Sequence, residues 1–279
     1  MIALERASIF VDGTTGDPRL SHPECLAFDD EGAAWCGGDR GELYRVEPDG
    51  SSIEQVACTG GFTLGVALDG AGALYSCDLA HGAVFKLDLA SGALERFAKG
   101  MRLPNFPVVD PRRGCLYVSD SYDAAKPGPG IWRIDLESGA AELWYGQPLA
   151  FANGMALAPG GDALYVVETW AQRVVRVPIG ADGRAGTPER VVEGLERVPD
   201  GIAVDVDGRL YVACYEPSRV YRCDPATGEV ELLLEDPTAH VLCHPTNCAF
   251  RGTELFMANL GRWHLTRVDV GVEGLSLLR

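Results

Sequence analysis

The chain contains one short sequence pattern six times, at intervals of 40 to 48 residues. Each copy begins with an apolar run typical of a strand, as in Asp200-Gly-Ile-Ala-Val-Asp205. Three further strand-like runs follow in each unit, separated by turn signals, and no unit shows a sustained helical period. Repeats of roughly 40 to 50 residues with four strands are typical of β-propeller blades. The sequence therefore predicts an all-β fold: a six-bladed β-propeller with four-stranded antiparallel blades around a central channel.

We expect a single propeller domain that spans residues 1–279. A strand-like run at residues 7–11 precedes the first complete unit. We predict that this run completes the last blade as its outer strand, because a closed ring removes most exposed sheet edges. The alternative is that the run packs against the bottom of an open ring.

One position of the repeat, four residues before the end of the first strand, carries mostly oxygen-bearing side chains. The residues at this position are Glu24, Leu64, Asn105, Asn153, Asp200 and Thr246. The innermost strand of each blade lines the channel, so the two carboxylates and two amides of this set would converge at one end. Carboxylate and amide oxygens form a hard ligand set. We predict a site there for one divalent cation, Ca²⁺ foremost, with Mn²⁺, Mg²⁺ or Zn²⁺ as alternatives.

Each of these residues also has a purely structural interpretation. Asn153-Gly154 and Asp200-Gly201 are common turn dipeptides, and Glu24 alone would be an ordinary surface carboxylate. Only the shared register of all four oxygen-bearing residues favours a functional site. Leu64 cannot bind a cation, and we expect it to form an apolar wall, whereas Thr246 would bind a water or cap a turn.

The composition narrows the partners that such a protein can bind. The formal net charge is −16 at pH 7, and an acidic surface repels nucleic acids and anionic membranes. We therefore expect neither as a partner, and expect a neutral small molecule as substrate. No run is long enough for a membrane helix and the first residues lack a signal-peptide pattern, so we expect a cytoplasmic protein. Nine cysteines without a Cys-x-x-Cys motif predict reduced core thiols.

The chain resembles the senescence-marker-protein (regucalcin)/gluconolactonase family along nearly its whole length. The segments that carry the resemblance are His22-Pro-Glu24-Cys-Leu-Ala, Leu103-Pro-Asn105, Phe151-Ala-Asn153-Gly-Met-Ala-Leu157 and Val198-Pro-Asp200-Gly-Ile-Ala-Val-Asp205. Members of this family are six-bladed propellers that bind one divalent cation in the channel and hydrolyse sugar lactones. The resemblance implies that Glu24, Asn153 and Asp200 are metal ligands, and that Asn105 makes the fourth, amide contact. Diisopropyl fluorophosphatase and the paraoxonases show a similar arrangement of Glu, Asn, Asn and Asp, so the resemblance does not fix the substrate.

The chain departs from the family pattern in two places. Regucalcin-type members carry an arginine two residues before the blade-3 asparagine, where it contacts the sugar, and this chain has Leu103 there. The adjacent Arg102 would face the opposite way in an extended strand. The usual Glu-Gly-Pro of the first blade is Glu24-Cys25-Leu26, and the Pro-Glu opening also resembles strictosidine-synthase-like propellers, which lack the catalytic metal. The complete set of four oxygen ligands argues against that relative.

These observations predict a metal-dependent hydrolase that opens a sugar lactone or a less polar lactone with a metal-activated water. Asp200 is the predicted general base, and a non-ligating base elsewhere is the alternative. The residues predicted to bind substrate are Asn105, Leu103, Tyr122, Trp170 and Leu64. The two aromatic residues lie in loops after second strands, where an aromatic rim suits an apolar substrate. Alternatively, these rings pack against neighbouring loops.

Two other functions stay open at this point. The protein could be an ester or phosphotriester hydrolase that uses the same ion, or a propeller that binds a ligand or calcium without turnover. An enzyme should lose activity with a chelator while it keeps its fold, whereas a binding protein has no activity to lose. The sequence contains no Gly-x-Ser-x-Gly, phosphate-loop or dinucleotide motif, which disfavours a serine nucleophile and nucleotide binding.

Overall fold

Six four-stranded antiparallel sheets make up the protein in a computed structural model that describes residues 1–276. The sheets are the six blades, which confirms the all-β propeller predicted from the repeat. Helix in this part of the chain is limited to two 3₁₀ turns, Leu4–Arg6 and Thr169–Ala171. No helix among the described residues has the length and apolar character needed to cross a membrane. The predicted domain ends at residue 279, and its last three residues lie outside the described part.

The blades are numbered in chain order, and the strands of each are given from the channel outward. Blade 1 consists of β2 (Ala27–Phe28), β3 (Ala34–Gly37), β4 (Glu42–Val46) and β5 (Ile53–Cys58). Blade 2 consists of β6 (Thr63–Leu68), β7 (Ala73–Asp78), β8 (Ala83–Asp88) and β9 (Leu94–Lys99). Blade 3 consists of β10 (Pro104–Asp110), β11 (Cys115–Asp120), β12 (Gly128–Asp135) and β13 (Ala141–Leu149).

The second half of the ring follows the same order. Blade 4 consists of β14 (Ala152–Leu157), β15 (Ala163–Glu168), β16 (Arg173–Pro178) and β17 (Glu189–Val192). Blade 5 consists of β18 (Pro199–Val204), β19 (Leu210–Cys214), β20 (Arg219–Cys223) and β21 (Val230–Glu235). Blade 6 consists of β22 (Pro245–Arg251), β23 (Glu254–Asn259), β24 (His264–Asp269) and β1 (Ser8–Asp12).

The ring closes through the N-terminal strand, as the sequence predicted. β1 pairs antiparallel with β24, with Ser8 opposite Arg267 and Asp12 opposite His264. The outer strand of blade 6 therefore comes from the opposite end of the chain from its other three strands. Each blade has one unpaired edge in the channel and one at the rim, and β1 covers the edge that β24 would otherwise expose, which limits edge-to-edge association.

The core lies between neighbouring blades and is built on their second strands. In β7, β11 and β15 every residue is buried, because another blade covers each face. The Leu-Tyr or Leu-Phe pair of the repeat lies on these strands, and its fully buried rings include Tyr75, Tyr117, Tyr211 and Phe256. Loss of one such ring would cost about 3–5 kcal/mol. The recurring pair therefore sets the spacing between blades.

The cysteines belong mostly to this core. All nine are free thiols, and eight of them are buried. The predicted core location is confirmed for these eight, and Cys58 alone is exposed. Buried cysteines of this kind act as small apolar residues.

Candidate metal centre

A cavity of about 250 Å³ lies at the end of the channel where the innermost strands begin. Its lining includes the four predicted ligands, of which Asn105 is also a predicted substrate-binding residue, and two further predicted substrate-binding residues: Glu24, Asn105, Asn153, Asp200, Leu64 and Leu103. The repeat register thus brings these six side chains to one place. Their roles in binding a cation and a substrate stay predictions.

A β-bulge turns the ligand position towards the channel. In β14 the pairing with β15 shifts register across Asn153 and Gly154. Asp200 and Asn105 occupy the corresponding shifts in β18 and β10. A bulge adds one residue to a strand and re-aims its side chain, which frees the ligand from the in-and-out alternation of the blade. Glu24 is placed differently, because it precedes the two-residue strand β2.

Asn153-Gly154 and Asp200-Gly201 are not turns, because both dipeptides lie inside innermost strands. Glycine is required at positions 154 and 201 because a larger residue would clash with the neighbouring blade. A Cβ on Gly154 would lie 2.6 Å from the Cα of Gly201, and a Cβ on Gly201 would lie 2.4 Å from Cγ of Asn247. Glycine thus permits the close approach of neighbouring blades at the channel. The turn interpretation of these dipeptides is wrong, and their glycines instead allow the close approach of blades that positions Asn153 and Asp200.

Two hydroxyl groups orient the amides of Asn105 and Asn153. Asn105 Nδ2 donates to Ser121 Oγ at 3.0 Å, and Asn153 Nδ2 donates to Thr169 Oγ1 at 3.1 Å. The two hydroxyls donate in turn, at 2.7 and 2.8 Å, to the carbonyl of the residue before the ligand of the next blade. The amide nitrogens are engaged and neither amide oxygen accepts a hydrogen bond within residues 1–276, so both oxygens remain available to the cavity.

Sequence reasoning missed Ser121 and Thr169. Each directly follows the end of a second strand and lies 16 residues after the asparagine it orients. That equal spacing in blades 3 and 4 is the signal that could have identified both. Partners of this kind fix the orientation of a metal ligand, and their loss commonly costs about 10- to 100-fold in metal affinity.

The two carboxylates of the cavity have no strong cationic partner. No ion pair joins Glu24 or Asp200 to a lysine or arginine in the part of the chain that the structure describes. Burial raises the pKa of Glu24 to about 7. Burial, and then the negative charge of Glu24, raise the pKa of Asp200 well above its ordinary value. His22 Nδ1 lies 3.6 Å from Glu24 Oε1, and burial lowers the pKa of His22, which favours its neutral form.

This donor set fits a hard divalent cation. Two carboxylates supply two negative charges, and two amide oxygens complete a set of the kind that Ca²⁺ and Mg²⁺ prefer. Among the described residues, no three His, Cys, Asp or Glu side chains are grouped so as to hold a metal. The candidate ligand set is therefore a carboxylate pair completed by amides, and it differs from the clusters of three or four His and Cys ligands typical of zinc.

Side chains at the ends of second strands hold the backbone that leads into the cavity. Asp120 accepts hydrogen bonds from the N–H groups of Arg102 and Leu103 at 2.9 and 2.8 Å. Glu168 and Asn259 make corresponding bonds in blades 4 and 6, at 2.8 and 2.9 Å. Backbone N–H groups already occupy the acceptor atoms of these side chains. The three residues therefore support the site and do not form part of it.

The braced backbone takes an unusual conformation two residues before the repeat position. Four of the six blades have a left-handed residue there, with φ between 54° and 64°: His22, Phe151, Val198 and His244. This conformation is uncommon for any residue except glycine, and for a β-branched valine it costs on the order of 1–3 kcal/mol. Phe62, Leu103 and Phe151 stand at this position in blades 2, 3 and 4, and all three line the cavity.

The aromatic residues predicted to bind substrate lie outside the cavity lining. Tyr122 packs against Arg102, whose guanidinium carbon lies 4.6 Å from the ring centre. Arg102 also pairs with Asp123 at 2.7 Å, so its charge is directed away from the ligands. Trp170 is 50% exposed, and its ring centre lies 5.2 Å from that of Phe151. Both rings pack against loops, and their role in substrate binding stays a prediction.

Comparison with protein families gives one match over the middle of the chain. Residues 108–259, more than half of the sequence, match the family described as SMP-30/Gluconolactonase/LRE-like region. Regucalcin of Homo sapiens is 34% identical over 88 residues, which cover 32% of this chain and 26% of that protein. Regucalcin of Xenopus laevis is 27% identical over 106 residues, which cover 37% and 34%. The chain thus aligns with about a quarter to a third of the length of these relatives.

Solved structures match the fold over almost the whole chain. A putative gluconolactonase superposes with a TM-score of 0.79 at 20% identity, covering 97% of this chain and 94% of that one. A gluconolactonase of Xanthomonas campestris gives a TM-score of 0.77 at 19% identity, covering 96% and 89%. A calcium-binding regucalcin of Agrobacterium tumefaciens gives 0.74 at 20% identity, covering 91% of each chain. At these identities the structures show a shared fold.

Proposed function

Because the chain belongs to the SMP-30/gluconolactonase/LRE-like family, we propose that it is a divalent-metal-dependent hydrolase that opens a lactone ring. The observation that carries this proposal is the partly buried pair of Glu24 and Asp200, which share one cavity with two amides whose nitrogens donate to Ser121 and Thr169. Ca²⁺ is our first choice of cation, since the ligands are all oxygens and one structural neighbour is a calcium-binding protein. Mn²⁺, Mg²⁺ and Zn²⁺ are the alternatives.

The residues of the cavity have different proposed roles in hydrolysis. A bound divalent cation supplies a Lewis acid and lowers the pKa of a bound water. Glu24, Asn105 and Asn153 hold their oxygens in fixed positions around the site. Asp200 is the proposed general base, because its carboxylate lines the cavity and can accept the proton of the water that attacks the lactone carbonyl.

A cysteine nucleophile is disfavoured, although Cys25 lines the cavity. Burial, with a smaller contribution from the charges of Glu24 and Asp200, raises the pKa of its thiol to about 12. The reactive form of cysteine is the thiolate, which is scarce near neutral pH when the pKa is so high. Water is therefore the favoured nucleophile.

The wall of the cavity favours a lactone with a hydrocarbon substituent over a polyhydroxylated one. Its apolar side comes from blades 2, 3 and 4 and is formed by Phe62, Leu64, Leu79, Leu103 and Phe151. No described lysine or arginine lines the cavity. A substrate hydroxyl buried against this wall without a partner would cost about 1–3 kcal/mol. A volume of about 250 Å³, near the lower end for ligand sites, suits a small neutral lactone.

Hydrolysis of γ- and δ-lactones, followed by pH-stat, tests this function. The protein is stripped of metal with a chelator, and Ca²⁺, Mn²⁺, Mg²⁺ or Zn²⁺ is then added back singly. We expect turnover to return with one ion and to be faster for alkyl-substituted lactones than for polyhydroxylated ones. Asp200→Asn serves as the inactive control.

Two results would contradict parts of this proposal. Equal turnover with and without metal would rule out metal dependence. Cation binding without hydrolysis of any lactone or ester would favour a propeller that only binds its ligand.

A further inference from the structure

Asn247 is a third amide in the cavity, and the repeat register alone did not select it. It follows the repeat position of blade 6 by one residue, is 3% exposed, and lines the cavity. Blade 6 lies between blade 5, which carries Asp200, and blade 1, which carries Glu24. Asn247 therefore stands between the two carboxylates of the candidate metal centre.

The amide of Asn247 is oriented in the opposite sense to those of Asn105 and Asn153. Its Oδ1 accepts a hydrogen bond from the N–H of Cys248 at 2.7 Å. Its Nδ2 finds no acceptor among residues 1–276. This nitrogen is also not among the fully buried side-chain atoms that lack a hydrogen-bond partner, so it is accessible. The nitrogen therefore reaches the cavity. An amide nitrogen is a donor, so Asn247 presents N–H groups where the other two asparagines present oxygens.

Packing holds Asn247 in this position from both sides. A Cβ on Gly201 would lie 2.4 Å from Cγ of Asn247, so the side chain rests directly on the backbone next to Asp200. On the other side, Thr246 Oγ1 donates to the carbonyl of Glu24 at 2.8 Å, which ties the same strand to blade 1. The donor is therefore fixed before any substrate binds.

We propose that Asn247 is a catalytic residue that donates a hydrogen bond from Nδ2 to the carbonyl oxygen of the lactone, an assignment that rests on the lactonase function proposed above. When water adds to the carbonyl carbon, the C=O π electrons move onto that oxygen and the water proton passes to Asp200. The C=O bond then re-forms, the ring C–O bond breaks, and Asp200 gives that proton to the ring oxygen, which becomes a hydroxyl group. A donor fixed in advance stabilises the oxygen as its charge grows, and one such donor commonly contributes about 10²- to 10³-fold in kcat.

Two substitutions separate this role from a structural one. Asn247→Asp keeps an oxygen acceptor for the N–H of Cys248 but replaces the donor nitrogen with oxygen. Asn247→Leu has a similar shape and removes both functions. We expect both variants to lower kcat about 100- to 1,000-fold on the lactone that the wild type hydrolyses best, with KM changed by less than about 3-fold. Calorimetry with Ca²⁺ alone should show that Asn247→Leu still binds the ion.

Two other results would overturn the assignment of Asn247. If Asn247→Asp keeps kcat within about 3-fold of the wild type, the residue acts through Cys248 and the proposal is overturned. Thermal melting checks that each variant folds, and Asn247→Asp decides the question even if Asn247→Leu does not fold. If the wild type hydrolyses no lactone or ester with any ion, the proposed function itself fails and the assignment of Asn247 falls with it.

Discussion

Two kinds of largely buried carboxylate occur in this propeller, and their surroundings are opposite. Asp236 is 2% exposed and accepts five hydrogen bonds from residues 238–242. Burial alone would raise the pKa of Asp236, but these hydrogen bonds outweigh it and hold the pKa well below its ordinary value. Glu24 and Asp200 receive no such set of donors, and burial raises the pKa of both.

The presence or absence of backbone N–H donors distinguishes structural from functional carboxylates in such a fold. Asp120 and Glu168 belong with Asp236, because backbone N–H groups satisfy them. The fold supplies partners where a carboxylate holds a loop. It gives Glu24 and Asp200 no such backbone donors, and we propose that a cation supplies the missing positive charge there.

The largest expected effect follows from neutralising a channel carboxylate. Asp200→Asn should weaken Ca²⁺ binding roughly 1,000-fold, because half of the negative charge of the ligand set is lost. Hydrolysis should fall to background, while the metal-free variant should be at least as stable as the wild type. Calorimetry measures the Ca²⁺ affinity, and the pH-stat assay measures hydrolysis. Thermal melting in chelator measures the stability of the metal-free protein. A metal-free variant that melts below the wild type would show that Asp200 holds the fold, as Asp236 does.

Neutralising the satisfied carboxylate should have the reverse outcome. Asp236→Asn should lower the free energy of unfolding by about 2–3 kcal/mol at pH 7, since several N–H donors lose a charged acceptor. Ca²⁺ affinity should not change. The folded-state pKa of Asp236 is lowered, so its stabilisation is present above its unfolded pKa near 3.8 and is lost as the pH falls below it. Urea unfolding at pH 7 and pH 3 should therefore show a smaller gap between variant and wild type in acid.

Loss of the hydroxyls that orient the amides should have a smaller effect, and one confined to the site. Thr169→Ala and Ser121→Ala should each weaken Ca²⁺ binding about 10- to 100-fold, because the amide of Asn153 or Asn105 is then free to rotate. Thr169→Ser should restore most of the affinity. Ser76→Ala is the matched control, since Ser76 Oγ is buried in blade 2 without a partner. Equal effects at Ser76 and Thr169 would argue against orientation as the cause.

The smallest effect concerns the pH dependence of the metal-free protein. Glu24 has an ordinary pKa of 4.5 that burial raises to about 7 in the folded state. The native state therefore binds this proton more tightly, and stability should fall as the pH rises from 4.5 to about 7. Excess Ca²⁺ should reverse the loss, and Glu24→Gln should flatten the profile. A profile that is already flat in the metal-free wild type would mean that Glu24 is solvated.

The repeat predicted the fold and the place of the ligands because both depend on register. The Leu-Tyr pairs mark second strands, and one shared position brings Glu24, Asn105, Asn153 and Asp200 to one cavity. Their roles as cation ligands remain to be tested.

Other features depend on tertiary contacts that one sequence does not reveal. Asn-Gly and Asp-Gly are common in turns, and the same glycines serve the close approach of Gly154 and Gly201 inside strands. Ser121 and Thr169 act across 16 residues. Asn247 was missed because it lines the cavity from the position after Thr246, where blades 2, 4 and 5 have glycine.

Closure of the ring by β1 also decides when the site can exist. Glu24 lies near the start of the chain and Asp200 in the fifth blade, and the sixth blade that separates them contains strands from both ends of the chain. On the ribosome, the residues of β24 emerge long after Glu24, so the two carboxylates cannot be held in register until the sixth blade has been made. Contacts between such distant residues form slowly. The candidate site is thus assembled only when all six blades are present, and a partly made ring does not bring Glu24 and Asp200 together.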